Sequence, residues 1–320
     1  MTIGTRARPS LTRRGSRLAD RGFVVLTAGL AAGIVGLLVA IAVMLTLTSR
    51  ETWQTFGVLG FLTGTTWDVV NGVYGALPFI VGTIETSLLA LVIAAPIAIL
   101  TAIYLAELAP GRLAVPLTFT IEILAAIPSV VIGLWGIFVL SPFLRSTVEA
   151  FLVQTFGFIP LFSGPAYGIG LFAAGVILAI MILPTIITIS REVIIAVPNA
   201  QREGMLALGA TRWEVITRAV LPYARSGVMG AIILGLGRAL GETMAVTMVI
   251  GNKDAIPDSL FSQTQTIASK IATTFNEASV GIQTSSLIAL GLVLLGITLT
   301  LNVIARLLVR RVTGGVPRRV

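Results

Sequence analysis

The sequence predicts an all-α polytopic membrane protein with six transmembrane helices. Two observations carry that prediction and a third orients it. Of 320 residues, 56% are hydrophobic and 11% charged, at a mean hydropathy of +0.98, far from the balance of a soluble domain. Most charges lie between long apolar runs, the pattern of a chain that crosses a bilayer repeatedly. Arginine crowds into alternate connections, which orients the crossings. The sequence contains no cysteine and no histidine. Disulfides, zinc centres of the usual ligand set, Ser-His-Asp triads and thiolate nucleophiles are therefore excluded. A net charge of +8 can signal nucleic acid, but in so apolar a chain it marks one side of a membrane.

In chain order, residues 1–22 carry six arginines and one acid, Asp20, and read as a disordered basic cytoplasmic tail. A first span follows over 23–49, in an uncharged run long enough for roughly 30 Å of hydrocarbon. That run exceeds a signal-peptide core and no A-x-A site follows it, so the span is retained. Residues 50–76 are aromatic and mixed (Trp53, Phe56, Phe61, Trp67, Tyr74) and suit an extracytoplasmic interface. The second span is Leu77–Tyr104, with Glu85 near its outer end, and ELAPGR (Glu107–Arg112) is a tight polar turn. The third is Val115–Leu140, containing Glu122 and Pro128. Ser141–Pro165 reads as an outer loop, partly embedded because Ala150–Ser190 carries no charge. Tyr167–Ile189 is the fourth span, 191–225 a charged inner loop, and Gly227–Ile250 the fifth span. Gly251–Thr284 is a polar outer segment, Leu287–Leu308 the sixth span, and 309–320 a second basic tail. With six spans both termini share one side. The inner segments then hold 17 basic residues and the outer ones four (Arg50, Arg145, Lys253, Lys270), leaving Arg238 inside span five. That asymmetry places both termini and the charged loop in the cytoplasm.

The inner loop is organised around NAQREGMLALGATRWEVITRAVLP, Asn199–Pro222. Pro198 precedes a first helix, and Gly209 can supply the left-handed residue that ends it. Thr211 with Glu214 forms a capping box for a second helix, which Pro222 is expected to break before span five. A short rigid helix with apolar residues held outside the bilayer suits a groove on another protein; a loop lying at the headgroups is the competing reading. Glu203-Gly204-Met205-x-x-x-Gly209, followed by Leu221-Pro222, resembles the EAA loop of ABC importer permeases. Gly204 and Met205 stand where the pattern has two alanines, and Ala219 where it has isoleucine. With LGLGRALGETMAVTMVIGN (Leu234–Asn252) and IEILAAIPSVVIG (Ile121–Gly133), the chain from Leu77 onward resembles the PstC family of permease subunits in phosphate-specific ABC importers.

That resemblance implies a type I ABC importer permease core in spans 2–6 (residues 77–308), with span one as an accessory helix. It implies a permease of the bacterial plasma (inner) membrane that imports inorganic phosphate and performs no catalysis itself. A second permease of the PstA type would complete the pore as a heterodimer, and an extracytoplasmic phosphate-binding protein would deliver the anion. An ATPase dimer, holding the ATP and magnesium, would grip the loop through Glu203, Gly204, Met205, Leu206, Ala207, Leu208 and Gly209. No Walker A sequence occurs, and Gly235-x-Gly237-x-x-x-Gly241 lies in a span with no strand before it, so this chain is no ATPase. Gly237 and Gly241 make a small-xxx-small face suited to close helix packing.

For the pathway itself, Arg238 and Glu242 stand four apart inside span five and are expected to share one helix face. A charge at the bilayer centre costs at least ~2.5–3.5 kcal/mol, so it faces a partner or a wet cavity. Two readings follow: an oxyanion site in which Glu242 balances Arg238 when empty, or a buried ion pair that fixes the helix. The resemblance favours the first. Glu122 opens the EILAAIPS run, where Pro128 invites a kink lining the path. Ser129 and Thr243 can donate hydrogen bonds to an anion or simply pack. No catalytic residue and no metal ligand set emerges. Other functions open at this point are import of sulfate or molybdate, ion-coupled secondary transport using the membrane carboxylates, and a membrane scaffold.

Overall fold

The computed structural model describes residues Ser16–Thr313, with side chains described for 20–309 and for Arg311; most of the two basic tails lies outside the described residues. Six helices among the described residues are long and apolar enough to cross a membrane: Asp20–Thr48, Leu77–Leu108, Ser129–Phe156, Leu171–Ile195, Arg212–Gly241 and Ile282–Val309. The chain divides at Thr48. The first unit is helix α1, Ser16–Thr48, which begins seven residues before the predicted span, within the predicted tail. Its apolar side chains are exposed along its length, as a lipid-facing helix requires. Thr27, Thr46 and Thr48 donate their hydroxyls to carbonyls one turn back, satisfying them without water.

The second unit starts with two short helices, α2 (Arg50–Phe56) and α3 (Val58–Thr63), and a two-stranded antiparallel hairpin, β1 (Trp67–Asp68) with β2 (Val73–Tyr74). The aromatic residues predicted for a membrane interface instead pack on one another. Trp67 meets Tyr74 and Phe79 edge-on at 4.8 and 5.3 Å between ring centroids, and Trp53 meets Phe61 at 5.4 Å. Phe61, Trp67, Tyr74 and Phe79 are buried there with Ile267 and Leu287.

Helix α4 runs Leu77–Leu108, its last turn (Tyr104–Leu108) wound as a π-helix that takes Glu107 out of the predicted polar turn. Helix α5, Gly111–Ala126, corrects the third span. The predicted Val115–Leu140 helix breaks at Ile127, whose ψ of 128° is extended, because a residue before proline is pushed out of the α region. The membrane-length helix is α6, Ser129–Phe156, so Ser141–Phe156 is helical where a loop was expected. Pro142 sits just after a π turn, Gly136–Leu140, which accommodates its missing N–H. Glu149 faces inward, buried, and accepts a 2.8 Å bond from the Gly168 amide.

Helix α7, Leu171–Ile195, runs six residues past the predicted fourth span and forms the centre of the core. Ala90, Ala94, Ala98 and Ala102 present small residues from one face of α4, so α7 approaches closely with Ile177, Leu178, Ile182 and Ile186. A short helix, α8 (Asn199–Ala207), precedes α9, Arg212–Gly241. Pro222 does not break α9 as predicted; the π turn Ile216–Val220 absorbs it and the helix continues. The small-residue packing in α9 falls on different glycines from those predicted. A Cβ on Gly235 would lie 2.7 Å from Ile186 Cγ1 and one on Gly227 2.4 Å from Val193 Cγ1, whereas Gly237 and Gly241 have nothing within 4 Å. A bend at Glu242–Thr243 leads to α10, Met244–Val249, so the predicted fifth span is a broken helix. The segment predicted to lie outside then contains α11 (Ile267–Thr274), and α12 (Ile282–Thr313) is the last helix among the described residues.

Candidate functional site

Two sites emerge, near opposite ends of α9. The first is the segment joining α7 to α9. Pro198 holds an extended backbone at the start of α8, and Gly209 closes it at φ 84°, the left-handed conformation expected of it. The Gly209 amide donates to Leu206 O at 2.9 Å and the Ala210 amide to Met205 O at 3.2 Å, satisfying end carbonyls of the helix. The capping box is present in full: the Glu214 amide donates to Thr211 Oγ1, and the Thr211 amide donates to Glu214 Oε2 at 2.9 Å. Met205 is half-buried and packs against the apolar core. Leu206, Leu208 and Trp213 instead point outward, 50, 85 and 59% exposed. Glu203, Gly204, Ala207 and Gly209 are exposed beside them, and Glu203 makes no ion pair among the described residues. The segment is a fixed apolar knob with one free carboxylate.

What holds the knob was not foreseen from sequence. Arg202 turns back into the body, where its Nη2 meets Glu107 Oε1 at 2.7 Å and its Nε donates to the same oxygen at 3.1 Å. Nη2 also donates to Ile194 O at 2.9 Å, and Nη1 donates to Val197 O and to Asn199 Oδ1. Both charged side chains are largely buried, at 18 and 12% exposure. The two residues are 95 positions apart, and the available hint was that Glu107 is the sole acid of the predicted polar turn Glu107–Arg112.

The second site is the break between α9 and α10. Arg238 lies in the last turn of α9, exposed at the surface of the chain, and its Nη1 donates to Thr185 Oγ1 of α7 at 3.0 Å. Glu242 falls beyond the helix end with an extended ψ of 130°, so the two do not share a helix face. No ion pair joins them among the described residues. Thr243 and Thr247 continue from the bend, Thr247 Oγ1 donating to Thr243 O at 2.7 Å. Ser129 opens α6, and α6 lies beside α10 with both running in the same direction. A Cβ on Gly133 would come 2.9 Å from Ala245 Cα, and one on Gly136 would come 3.1 Å from Val249 Cγ1. Ser129 and Met244 are thus the first residues of two neighbouring helices, and α10 begins six residues after Arg238. Glu122 is exposed on α5 little more than one turn before the break and makes no polar contact with Arg238 among the described residues. Arg238, Glu242 and Thr243 thus lie within six residues of one another at the bend, Arg238 gains Thr185 as a partner, and Ser129 and Glu122 lie on other elements, α6 and α5. No group of three or more potential ligand side chains suits a metal ion among the described residues.

Residues 94–314 match the family described as binding-protein-dependent transport system inner membrane component. The phosphate transport system permease protein PstC of Pasteurella multocida is 50% identical over 280 residues, covering 86% of this chain and 87% of its own. The PstC of Mesorhizobium japonicum is 46% identical over 94% of this chain and 93% of its own length. Among solved structures, a bacterial ABC transporter involved in the import of the acidic polysaccharide alginate aligns with a TM-score of 0.62 at 18% identity. It covers 94% of this chain and all of that one. The MetNI methionine ABC transporter, in an inward-facing conformation, aligns with a TM-score of 0.55 at 18% identity, covering 74% of this chain and 96% of its own. These two likenesses concern the fold. The chain therefore belongs to the binding-protein-dependent transport system inner membrane component family, in the group whose members carry the name phosphate transport system permease protein PstC.

Proposed function

We propose that this chain is the transmembrane permease subunit of an ATP-driven inorganic phosphate importer and forms half of its translocation pathway. The observation that carries the proposal is Arg238. A guanidinium within a membrane-spanning helix, exposed at the chain surface and without a carboxylate partner, is a costly feature unless an anion or a wet cavity meets it. Ser129 at the start of α6 offers a hydroxyl donor, Thr243 offers a second if it gives up its bond to Gly241 O, and the Ser129 and Val130 amides precede the first bonds of the helix to Pro128 O. A helix start aimed into a cavity favours negative charge. Glu242, one residue beyond the helix, would balance the arginine while the path is empty, and Glu122 would lie on the approach along α5.

The second element is coupling. A separate ATPase dimer, which binds the ATP and magnesium, would seat the exposed face of α8 from Glu203 to Gly209 in a groove. A rigid amphipathic helix suits that mode of recognition. A second permease of the PstA type would complete the pore, and an extracytoplasmic phosphate-binding protein would supply it. ATP-driven closure of the ATPases would rock the two permeases as rigid bodies between inward- and outward-open states. The protein would lie in the bacterial plasma membrane with both termini cytoplasmic, by the asymmetry of its arginines.

The test is uptake of labelled phosphate by vesicles that hold the full assembly, with sulfate and molybdate as competitors and with Glu203→Ala beside the wild type. Saturable uptake that requires ATP, resists both competitors and is lost in Glu203→Ala while ATP is still hydrolysed supports the proposal. Uptake that persists without the ATPase and collapses with the proton gradient makes the chain a secondary transporter instead.

A further inference from the structure

Resting on the coupling role proposed for α8, we infer that Arg202 and Glu107 form the joint through which movement of that helix reaches the membrane core. The geometry sets this pair apart from a surface ion pair. One guanidinium binds three elements at once: Glu107 in the last turn of α4, the carbonyls of Ile194 and Val197 at the end of α7, and Asn199 at the start of α8. Ile194 stands in the last turn of α7, where a cation is favoured by the helix dipole, and Val197 lies in the turn that follows it. The site is largely buried at both residues, so the pair is little screened and is costly to break from either side. Without this fork, α8 would be attached chiefly by Met205 and by its two flanking loops. The exposed residues that meet the ATPase would then be able to tilt without carrying α4 and α7 with them. Arg202 and Glu107 are thus positioning residues for coupling, distinct from the outward face that makes contact.

The chemistry predicts which changes are tolerated. Lysine presents a point charge that cannot span Glu107 and two carbonyls at once. Glutamine at 107 leaves Arg202 its carbonyl bonds but removes the charged link to α4. In proteoliposomes holding the full importer, Glu107→Gln and Arg202→Lys are expected to assemble with a full complement of ATPase and to hydrolyse ATP at near the wild-type rate. The phosphate moved per ATP falls roughly tenfold, within the span of measured coupling energies. Transport and hydrolysis that decline in the wild-type ratio, or do not decline, overturn the inference. Loss of assembly in both variants also overturns it, since the pair then serves folding alone. The coupling role is checked separately. The sequence has no native cysteine, so this chain, labelled at Leu208→Cys with a heterobifunctional crosslinker before assembly, reports contact with the ATPase from that one position. Absence of that crosslink removes the coupling role and the joint with it, whereas a crosslink with an unchanged transport ratio removes the joint only.

Discussion

Lys270 offers the sharpest test of how the end of the bundle remote from α8 is held. Its ammonium is 2.6 Å from Asp254 Oδ2 and lies over the rings of Trp67 and Phe79, at 5.1 and 5.3 Å from their centroids. The lysine side chain is 8% exposed and the aspartate 30%. The cation is therefore buried while its counterion keeps contact with water, and the two halves of the pair should not cost the same to remove. Asp254→Asn strands a buried ammonium. Breaking a fully buried pair costs about 3–5 kcal/mol, and the access of water on the aspartate side lowers this to about 2–3 kcal/mol. Lys270→Met keeps the length of the side chain, forfeits two cation–π contacts of about 0.5–2 kcal/mol each, and abolishes the burial of a charge. Methionine retains favourable contact with both rings, and Asp254 simply rehydrates, so the net loss should stay within about 1 kcal/mol. Reversible SDS-driven unfolding in mixed micelles, followed by tryptophan fluorescence, gives the two free energies. Asp254→Asn should be the more damaging by at least about 1 kcal/mol, and adding Lys270→Met to it should restore most of the loss. A larger loss in Lys270→Met, or simple additivity in the double variant, would refute the asymmetry and make the pair an ordinary surface contact.

Two further substitutions probe local features. In Gly82→Ala the new Cβ would lie 2.4 Å from the Gln265 carbonyl oxygen, a backbone atom that cannot swing aside. The same unfolding assay should show a loss of about 1–3 kcal/mol, while Gly237→Ala, with nothing within 4 Å, should show none. In Thr211→Ala the capping box is lost at a cost of about 1 kcal/mol, which hydrogen exchange should report as roughly fivefold faster exchange at the start of α9, with Thr211→Ser close to wild type.

The spans were legible because burying charge in hydrocarbon is so costly that the apolar runs have little freedom, and all six predicted crossings have a counterpart helix. The caps around α8 were legible too, since Gly209, Thr211 and Glu214 act within a few residues of one another. Proline was legible only in part: the kink expected at Pro128 is present, while the break expected at Pro222 is not. Pro96 and Pro184 lie inside continuous helices, Pro142 and Pro222 are absorbed by π turns, and Pro128 breaks the chain. Which of these occurs depends on packing that local sequence does not encode. The helix over 141–156 was hidden by the same residue type together with Arg145 and Glu149, which suggest a loop until Gly168 is seen to hold the carboxylate. At the candidate sites, Arg238 declared itself by its cost in a membrane. Its neighbour Thr185 and the joint between Arg202 and Glu107 are contacts across 53 and 95 residues, and no periodicity or spacing announces them.

The central claim is that Arg238 meets the transported anion, and one comparison addresses it directly. Phosphate uptake is measured in proteoliposomes holding the full importer, with wild type, Arg238→Lys and Arg238→Ala purified to equal ATPase content. The account predicts that Arg238→Ala abolishes phosphate uptake while the complex remains assembled and still hydrolyses ATP. Arg238→Lys, which keeps the charge but loses the planar fork, should retain a reduced rate. Undiminished uptake in Arg238→Ala would contradict the account and leave the arginine as a helix-packing residue held by Thr185.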